Sequence, residues 1–272
     1  MNVLAVISIY INPNIVKTSA LVLSWHGAFS AIGILAVILW GRRQGRLYGI
    51  SEEAVYGMSV WGVVGGVIGA RALHVIDFWD VYSANPVAIL QVWTGGIALF
   101  GGILGATIGC SIYAWTNKLP LGRMLDLVAP GILLGQLVGR IGDIINGEHL
   151  AKAASLPWAF QYTHPDSPAF GLAPMHPAIV YEMLWDAAVM LVVFRLIDRL
   201  RPDGMVFMAY LTLYSLGRFI IQFLRLDAVW FAGLQEAHLL ALLLLALSVT
   251  VLAARARWVA VAEQKTPATK GR

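Results

Sequence analysis

Arg140, Asp143 and Asn146 recur every three residues, with Glu148 close behind. On a helix that spacing sets a guanidinium, a carboxylate and an amide along one face. Arg218, Gln222 and Arg225, four and three residues apart, form a second polar stripe. Glu182 and Asp186 lie one helical turn apart, and Arg71 is another charge in an apolar stretch. Arginine in such surroundings suits a phosphate group, because its planar fork donates paired hydrogen bonds and stays charged when partly desolvated. Carboxylates beside it would orient the guanidinium groups and offset excess charge. The competing reading is that Arg140 and Arg218 pair with Asp143, Glu182 or Asp186 only to hold helices together.

Among the histidines, His26 follows Trp25 at the start of an apolar run, where a neutral imidazole could take a proton from a nucleophile. His74, His149, His164 and His238 fall in no metal-ligand spacing and read as interfacial or hydrogen-bonding residues. The single cysteine, Cys110, excludes a disulfide framework and a Cys/His metal pattern.

The elements that must carry these residues are membrane spans. The chain is 59% hydrophobic and only 12% charged over 272 residues, with a mean hydropathy of +0.74, against roughly 25% charged in a soluble domain. Apolar runs at about 20 to 40, 55 to 76, 95 to 115, 126 to 145, 178 to 197, 204 to 224 and 237 to 254 are each close to the roughly 20 residues a transmembrane helix needs. The sequence therefore predicts an all-α integral membrane protein of about seven transmembrane helices. It forms one polytopic domain over 1–272, with an outer loop at about 146–177 and a short basic tail from about 255.

Arg42, Arg43, Arg46, Lys118, Arg123, Arg195, Arg199, Arg201, Arg255, Arg257, Lys265, Lys270 and Arg272 flank the spans on one side, and only Lys17, Lys152 and Arg225 on the other. The positive-inside rule then places the N-terminus outside and the C-terminus in the cytoplasm, and assigns the net charge of +4 to topology. A charge at mid-bilayer costs from about 2.5 to over 10 kcal/mol, so Arg71, Arg140, Asp143, Glu182, Asp186 and Arg218 are expected to face a cavity and carry function.

Glycines recur at four-residue spacing in the second and third spans, at Gly62, Gly65, Gly66, Gly69, Gly101, Gly105 and Gly109. They are expected to let two helix backbones approach closely. The pairs Gly95 and Gly96, and Gly101 and Gly102, flank a short apolar insert and could shape backbone around a ligand. The 146–177 loop, rich in proline and aromatics, reads as a partly ordered interfacial cap that ends at His176 and Pro177, with Tyr181 and Glu182 in the first turns of the next helix.

With these residues in place, the chain resembles the prolipoprotein diacylglyceryl transferases. The segment Gly139-Arg140-Ile141-Gly142-Asp143-Ile144-Ile145-Asn146-Gly147-Glu148 is similar to the family signature GRxGNFxNxE. Supporting segments are Gly95-Gly96-Ile97-Ala98-Leu99-Phe100-Gly101-Gly102, His176-Pro177 with Tyr181-Glu182, and Gly217-Arg218-Phe219 with Arg225. The resemblance implies transfer of the diacylglyceryl group of phosphatidylglycerol to the lipobox cysteine of a preprolipoprotein, with release of glycerol phosphate, in the bacterial plasma membrane.

It implies that Arg140 and Arg218 bind the phosphate and stabilise its departing charge, with Asn146, Glu148, Gln222, Arg225, Tyr181, Glu182 and Gly95, Gly96, Gly101 and Gly102 completing the substrate site. Its partners would be phosphatidylglycerol, signal peptides bearing the lipobox cysteine and membrane lipid, with no nucleic acid, no cofactor and no metal. The chain departs from the family pattern at Phe100, where histidine or tyrosine is usual, and at Gln222, His26, Ala178-Ile179 and Asp143. These departures touch proton transfer, for which His26 is the stand-in. Rival readings are a phosphatidylglycerol-binding paralogue with lost transfer or a changed acceptor, and a small transporter; no internal repeat or paired broken helices support the latter.

Overall fold

The computed structural model describes residues 6–18, 22–91, 96 and 98–259, with the side chains of residues 99 and 100 excepted. Gly95 and the side chain of Phe100 therefore lie outside the described part.

Eight α-helices dominate the described residues: α1 Trp25–Leu47, α2 Glu52–Asp77, α3 Trp79–Ala84, α4 Leu99–Thr116, α5 Leu121–Asn146, α6 Ala178–Leu196, α7 Met205–Gln222 and α8 Glu236–Arg255. Five of them, α1, α2, α5, α7 and α8, are long and apolar enough to cross a membrane. The other two expected spans fall on α4 and α6, of 18 and 19 residues. The leucine, isoleucine and valine side chains that leave these helices exposed, such as Ile32, Val60, Ile68, Leu184 and Leu243, suit lipid as solvent, since lipid makes no demand to bury them.

The chain divides into two compact units. Residues Trp40–Met124 form one, and Met1–Leu39 with Leu125–Arg272 form the other. In the Trp40–Met124 unit, α2 and α4 pack backbone to backbone. A Cβ on Gly69 would meet the carbonyl oxygen of Gly101 and stand 2.8 Å from the Cα of Gly105, and one on Gly62 would stand 2.8 Å from Cys110 Sγ. These glycines form a groove that only hydrogen side chains can fill. Ser51 caps α2, its Oγ accepting from the Ala54 amide.

In the other unit, Ala129, Leu133, Val189, Val193, Val206 and Tyr210 make a core between α5, α6 and α7. Asp126, fully buried, accepts from the backbone N–H of Gly204 through Oδ2 and of Phe207 through Oδ1, both at 2.8 Å. It thus supplies from α5 the partners that the first turn of α7 lacks. α1 crosses α5 where Gly33 meets Gly135, whose carbonyl oxygen a Cβ on Gly33 would approach to 2.6 Å.

The segment after α5 is more ordered than a loop. Backbone bridges join Ala151 to Arg225, Ala153 to Met175 and Met175 to Phe160, and Phe160–Tyr162 pairs in parallel with Ile7–Ile9. The result is a platform of short extended segments over a small core of Ala151, Tyr162, Ala169, Met175 and Ala178. At the other end of the chain, Leu200–Arg201 pairs with Arg257–Trp258.

Candidate active site

α5 brings Arg140 to α6, and α7 brings Arg218 to the same place. Glu182, only 3% exposed, accepts from Arg140 Nη1 through Oε2 and from Arg218 Nη1 through Oε1. Arg140 Nε also donates to Asp186 Oδ2 at 3.3 Å, and Arg225 Nη1 stands 3.7 Å from Glu182 Oε1. Three guanidinium groups thus converge on two buried carboxylates, beside a narrow crevice bordered by Tyr214 and Gly217. Such pairing is what keeps buried arginines charged without a prohibitive desolvation penalty.

The pairing leaves donors over. A guanidinium carries five N–H groups; among the described residues Arg140 spends Nη1 and Nε, and Arg218 spends Nη1 alone. The remaining hydrogens are available to a second oxyanion. The arginines thus tie α5 and α7 to α6 and keep N–H groups that no described residue is seen to take.

Gly217 sets the position of Arg218. Trp185 packs on it so closely that any Cβ there would run into the indole ring; Trp185 Nε1 in turn donates to the Leu213 carbonyl at 2.8 Å.

A second cluster continues from the first. Arg225 Nη2 is 2.7 Å from His149 Nδ1, His149 Nε2 is 3.6 Å from Asp143 Oδ2, and Asp143 Oδ1 is 2.5 Å from His26 Nδ1. Glu148 Oε1 lies 3.4 Å from His26 Nδ1, and Glu148 Oε2 accepts from Asn146 Nδ2 at 3.0 Å. Gly142 allows this: a Cβ there would stand 2.8 Å from both His26 Cα and the Trp25 carbonyl oxygen. Gly147, at φ +69°, ends α5 in the left-handed region and turns the chain toward Glu148. Tyr162 closes over this turn, donating to the Ile144 carbonyl at 2.9 Å, and burial pushes its hydroxyl pKa up.

His26, Asp143 and Glu148 hold donor atoms within 4.8 Å of one another, a set that could in principle hold a metal ion. Donors about 2.0–2.1 Å from a tetrahedral zinc stand about 3.3 Å apart, whereas His26 and Asp143 are at 2.5 Å. That is hydrogen-bond geometry.

Gln222 is fully buried, and its Nε2 donates to Asp227 Oδ2 at 2.6 Å and to Gln235 Oε1. Its Oε1 has no partner among the described residues, and neither does Asn146 Oδ1. Burial alone would raise the Asp227 carboxyl, but the bond from Gln222 and the charge of Arg225 outweigh it and hold the pKa below the usual range. Tyr181 accepts from Trp158 Nε1 at 2.9 Å and stacks edgewise near His176.

Gly96, Gly101 and Gly102 belong to the Trp40–Met124 unit. There Gly101 serves the packing against α2, and Gly102 makes ordinary contacts with Ala70. Gly96, at φ +76°, accepts at its carbonyl from Arg71 Nη1 at 2.7 Å. Arg71 also donates to the carbonyls of Ile89 and Ala88 and sits under the Tyr82 ring, so its contacts are those of a loop organiser. Asp126, His149, Asp227 and Gln235 also join these networks, and nothing in their sequence spacing marks their partners.

The prolipoprotein diacylglyceryl transferase family model matches residues 13–254. The chain belongs to this family. It is 35% identical over 259 residues to the phosphatidylglycerol–prolipoprotein diacylglyceryl transferase of Dehalococcoides mccartyi (strain ATCC BAA-2266 / KCTC 15142 / 195), covering 95% of this chain and 99% of that one. Relatives of the same name in Thermosynechococcus vestitus and Nostoc sp. are 33% and 31% identical, over 83% and 94% of this chain and 85% and 92% of theirs. Membership agrees with the apolar helices: the chain is a multi-pass membrane protein.

Proposed function

We propose that this family member transfers the diacylglyceryl group of phosphatidylglycerol to the lipobox cysteine thiol of a preprolipoprotein and releases glycerol phosphate. Its relatives carry the name of that enzyme. The observation that supports the reading most directly is Glu182 holding Arg140 and Arg218 on its two oxygens, with N–H groups of both left over among the described residues.

In this reading the phosphodiester of the lipid takes the free donors. As the sulfur attacks the glyceryl carbon, the C–O bond breaks and the phosphate gains a second negative charge. Hydrogen bonds that strengthen as charge develops favour the transition state over the bound lipid. Arg225 adds positive potential through its contact with Glu182. Asn146, Glu148, Tyr181 and the unpaired Gln222 Oε1 supply polar contacts for the headgroup hydroxyls.

The seven helices α1, α2, α4, α5, α6, α7 and α8 are read as seven spans. The positive-inside bias sets the N-terminus outside and the C-terminus in the cytoplasm. The arginine cluster and the extended platform then face the outer leaflet of the bacterial plasma membrane. The test is whether the purified chain moves labelled diacylglycerol from phosphatidylglycerol to a lipobox peptide. Absence of transfer, with lipid still bound, would point instead to a lipid-binding paralogue.

A further inference from the structure

Arginine donates hydrogen bonds and accepts none, and that one-way character fixes protons along the second cluster. Because Arg225 Nη2 donates to His149 Nδ1 at 2.7 Å, a neutral His149 carries its proton on Nε2. That N–H faces Asp143 Oδ2 at 3.6 Å. Asp143 Oδ1 then accepts from His26 Nδ1 at 2.5 Å, which leaves the lone pair of His26 on Nε2. The His26 side chain is 43% exposed, against 12% for Asp143, so of the pair the imidazole is the one open to a reactant.

We propose that His26 is the general base of the transfer reaction, with Asp143, His149 and Arg225 as positioning residues that hold its tautomer. The proposal rests on the transferase reading. His26 Nε2 takes the proton of the lipobox thiol. The freed sulfur electron pair forms the S–C bond to the glyceryl carbon, and the C–O electron pair leaves with the phosphate. The proton on His26 passes to water or to the departing phosphate, which restores the base. Asp143 stabilises the imidazolium meanwhile, in the manner of a carboxylate behind a catalytic histidine. The other charged groups facing the pair are Glu148, 3.4 Å from His26 Nδ1, and Arg140, within Coulombic reach of Asp143.

The test is steady-state turnover of purified full-length chain with phosphatidylglycerol and a lipobox peptide between pH 6 and 9.5, for wild type, His26→Gln and Asp143→Asn. A base of this kind contributes about 10²- to 10⁴-fold. His26→Gln is expected to lose kcat by at least about 10²-fold at pH 7 with little change in KM for the lipid. The deficit is expected to shrink as pH rises past about 8.5, where the thiol ionises unaided. Asp143→Asn keeps the shape but turns an N–H toward His26 Nδ1, forcing the proton to Nε2, and is expected to lower kcat likewise. It carries the test alone should His26→Gln fail to accumulate.

Wild-type kcat in either variant overturns the assignment, as does a deficit that stays constant with pH in His26→Gln. Absence of turnover in the wild type itself overturns the transferase reading and the base together, so the two failures are distinguishable.

Discussion

His26 lies against Gly142 with no room for a side chain between them: a Cβ on Gly142 would come within 2.8 Å of His26 Cα. The contact joins the first turn of α1 to the last turns of α5, one residue before Asp143. Gly142→Ala must therefore push α1 outward, at about 1–3 kcal/mol for an overpacked contact, and lengthen the His26–Asp143 bond. Reduced turnover with a lower thermal midpoint in detergent is the expected pair of results. A variant with wild-type activity and midpoint would show that the helices slide apart freely.

The Glu182 hub predicts a different ranking. Glu182→Ala leaves Arg140, 11% exposed at its side chain, without its main counter-charge, and breaking a buried pair costs about 3–5 kcal/mol. Glu182→Gln keeps one accepting oxygen and is expected to fall between wild type and alanine. Arg140→Lys retains the charge and loses the fork, so activity is expected to drop by more than stability does. Thermal unfolding and lipid KM measured on the same three variants check the order.

How far the sequence could be read differs between these two groups. The stripe Arg140-Asp143-Asn146 follows from helical spacing, and each expected span falls on a helix, because apolar length and periodicity are local properties. The stripe Arg218-Gln222-Arg225 does not continue as expected, since α7 ends at Gln222 and Arg225 lies in the turn beyond it, bridged to Ala151. The partners are not local. Glu182 is a hub only because α5 and α7 both pack on α6, and the bonds of Arg71 to the Ala88, Ile89 and Gly96 carbonyls follow from no spacing in the sequence. The platform reads from the sequence only as a partly ordered cap, for a further reason. Its segments pair through single bridges or three residues, too short for an alternating pattern to show.

Asp227 should make the platform sensitive to acid. Its pKa in the folded chain is held below the ordinary value of about 3.9, so its contribution to stability is fully present above that ordinary value. That contribution is lost as pH falls through the folded-state value. Thermal midpoints are expected to drop below about pH 4 in wild type and to do so less steeply in Asp227→Asn, which starts lower at neutral pH. Parallel curves for the two proteins would contradict the role given to Gln222 and Arg225.

Asp126 is expected to matter for folding and little for chemistry. Its two oxygens hold the Gly204 and Phe207 amides, and its replacement by alanine leaves two buried donors unpaired at about 1–3 kcal/mol each. Asp126→Ala should lower yield and thermal midpoint, while the surviving protein keeps a normal lipid KM. Asp126→Asn, which restores one acceptor, should recover part of the loss. A raised KM in either variant would place Asp126 in the lipid site.

Gly217 joins packing to catalysis most directly, because it precedes Arg218 and carries the Trp185 indole on its face. In Gly217→Ala the ring has to move, and its bond to the Leu213 carbonyl at 2.8 Å is broken or α7 is displaced. Either way the Arg218 fork shifts relative to Glu182. A misplacement of about 1 Å can reduce a rate about 10²-fold, while overpacking of this size costs about 1–3 kcal/mol in stability. The double variant Gly217→Ala, Trp185→Phe relieves the clash by trimming the indole. It is expected to regain activity over Gly217→Ala alone, and turnover of the single and double variants side by side decides whether Trp185 transmits the effect.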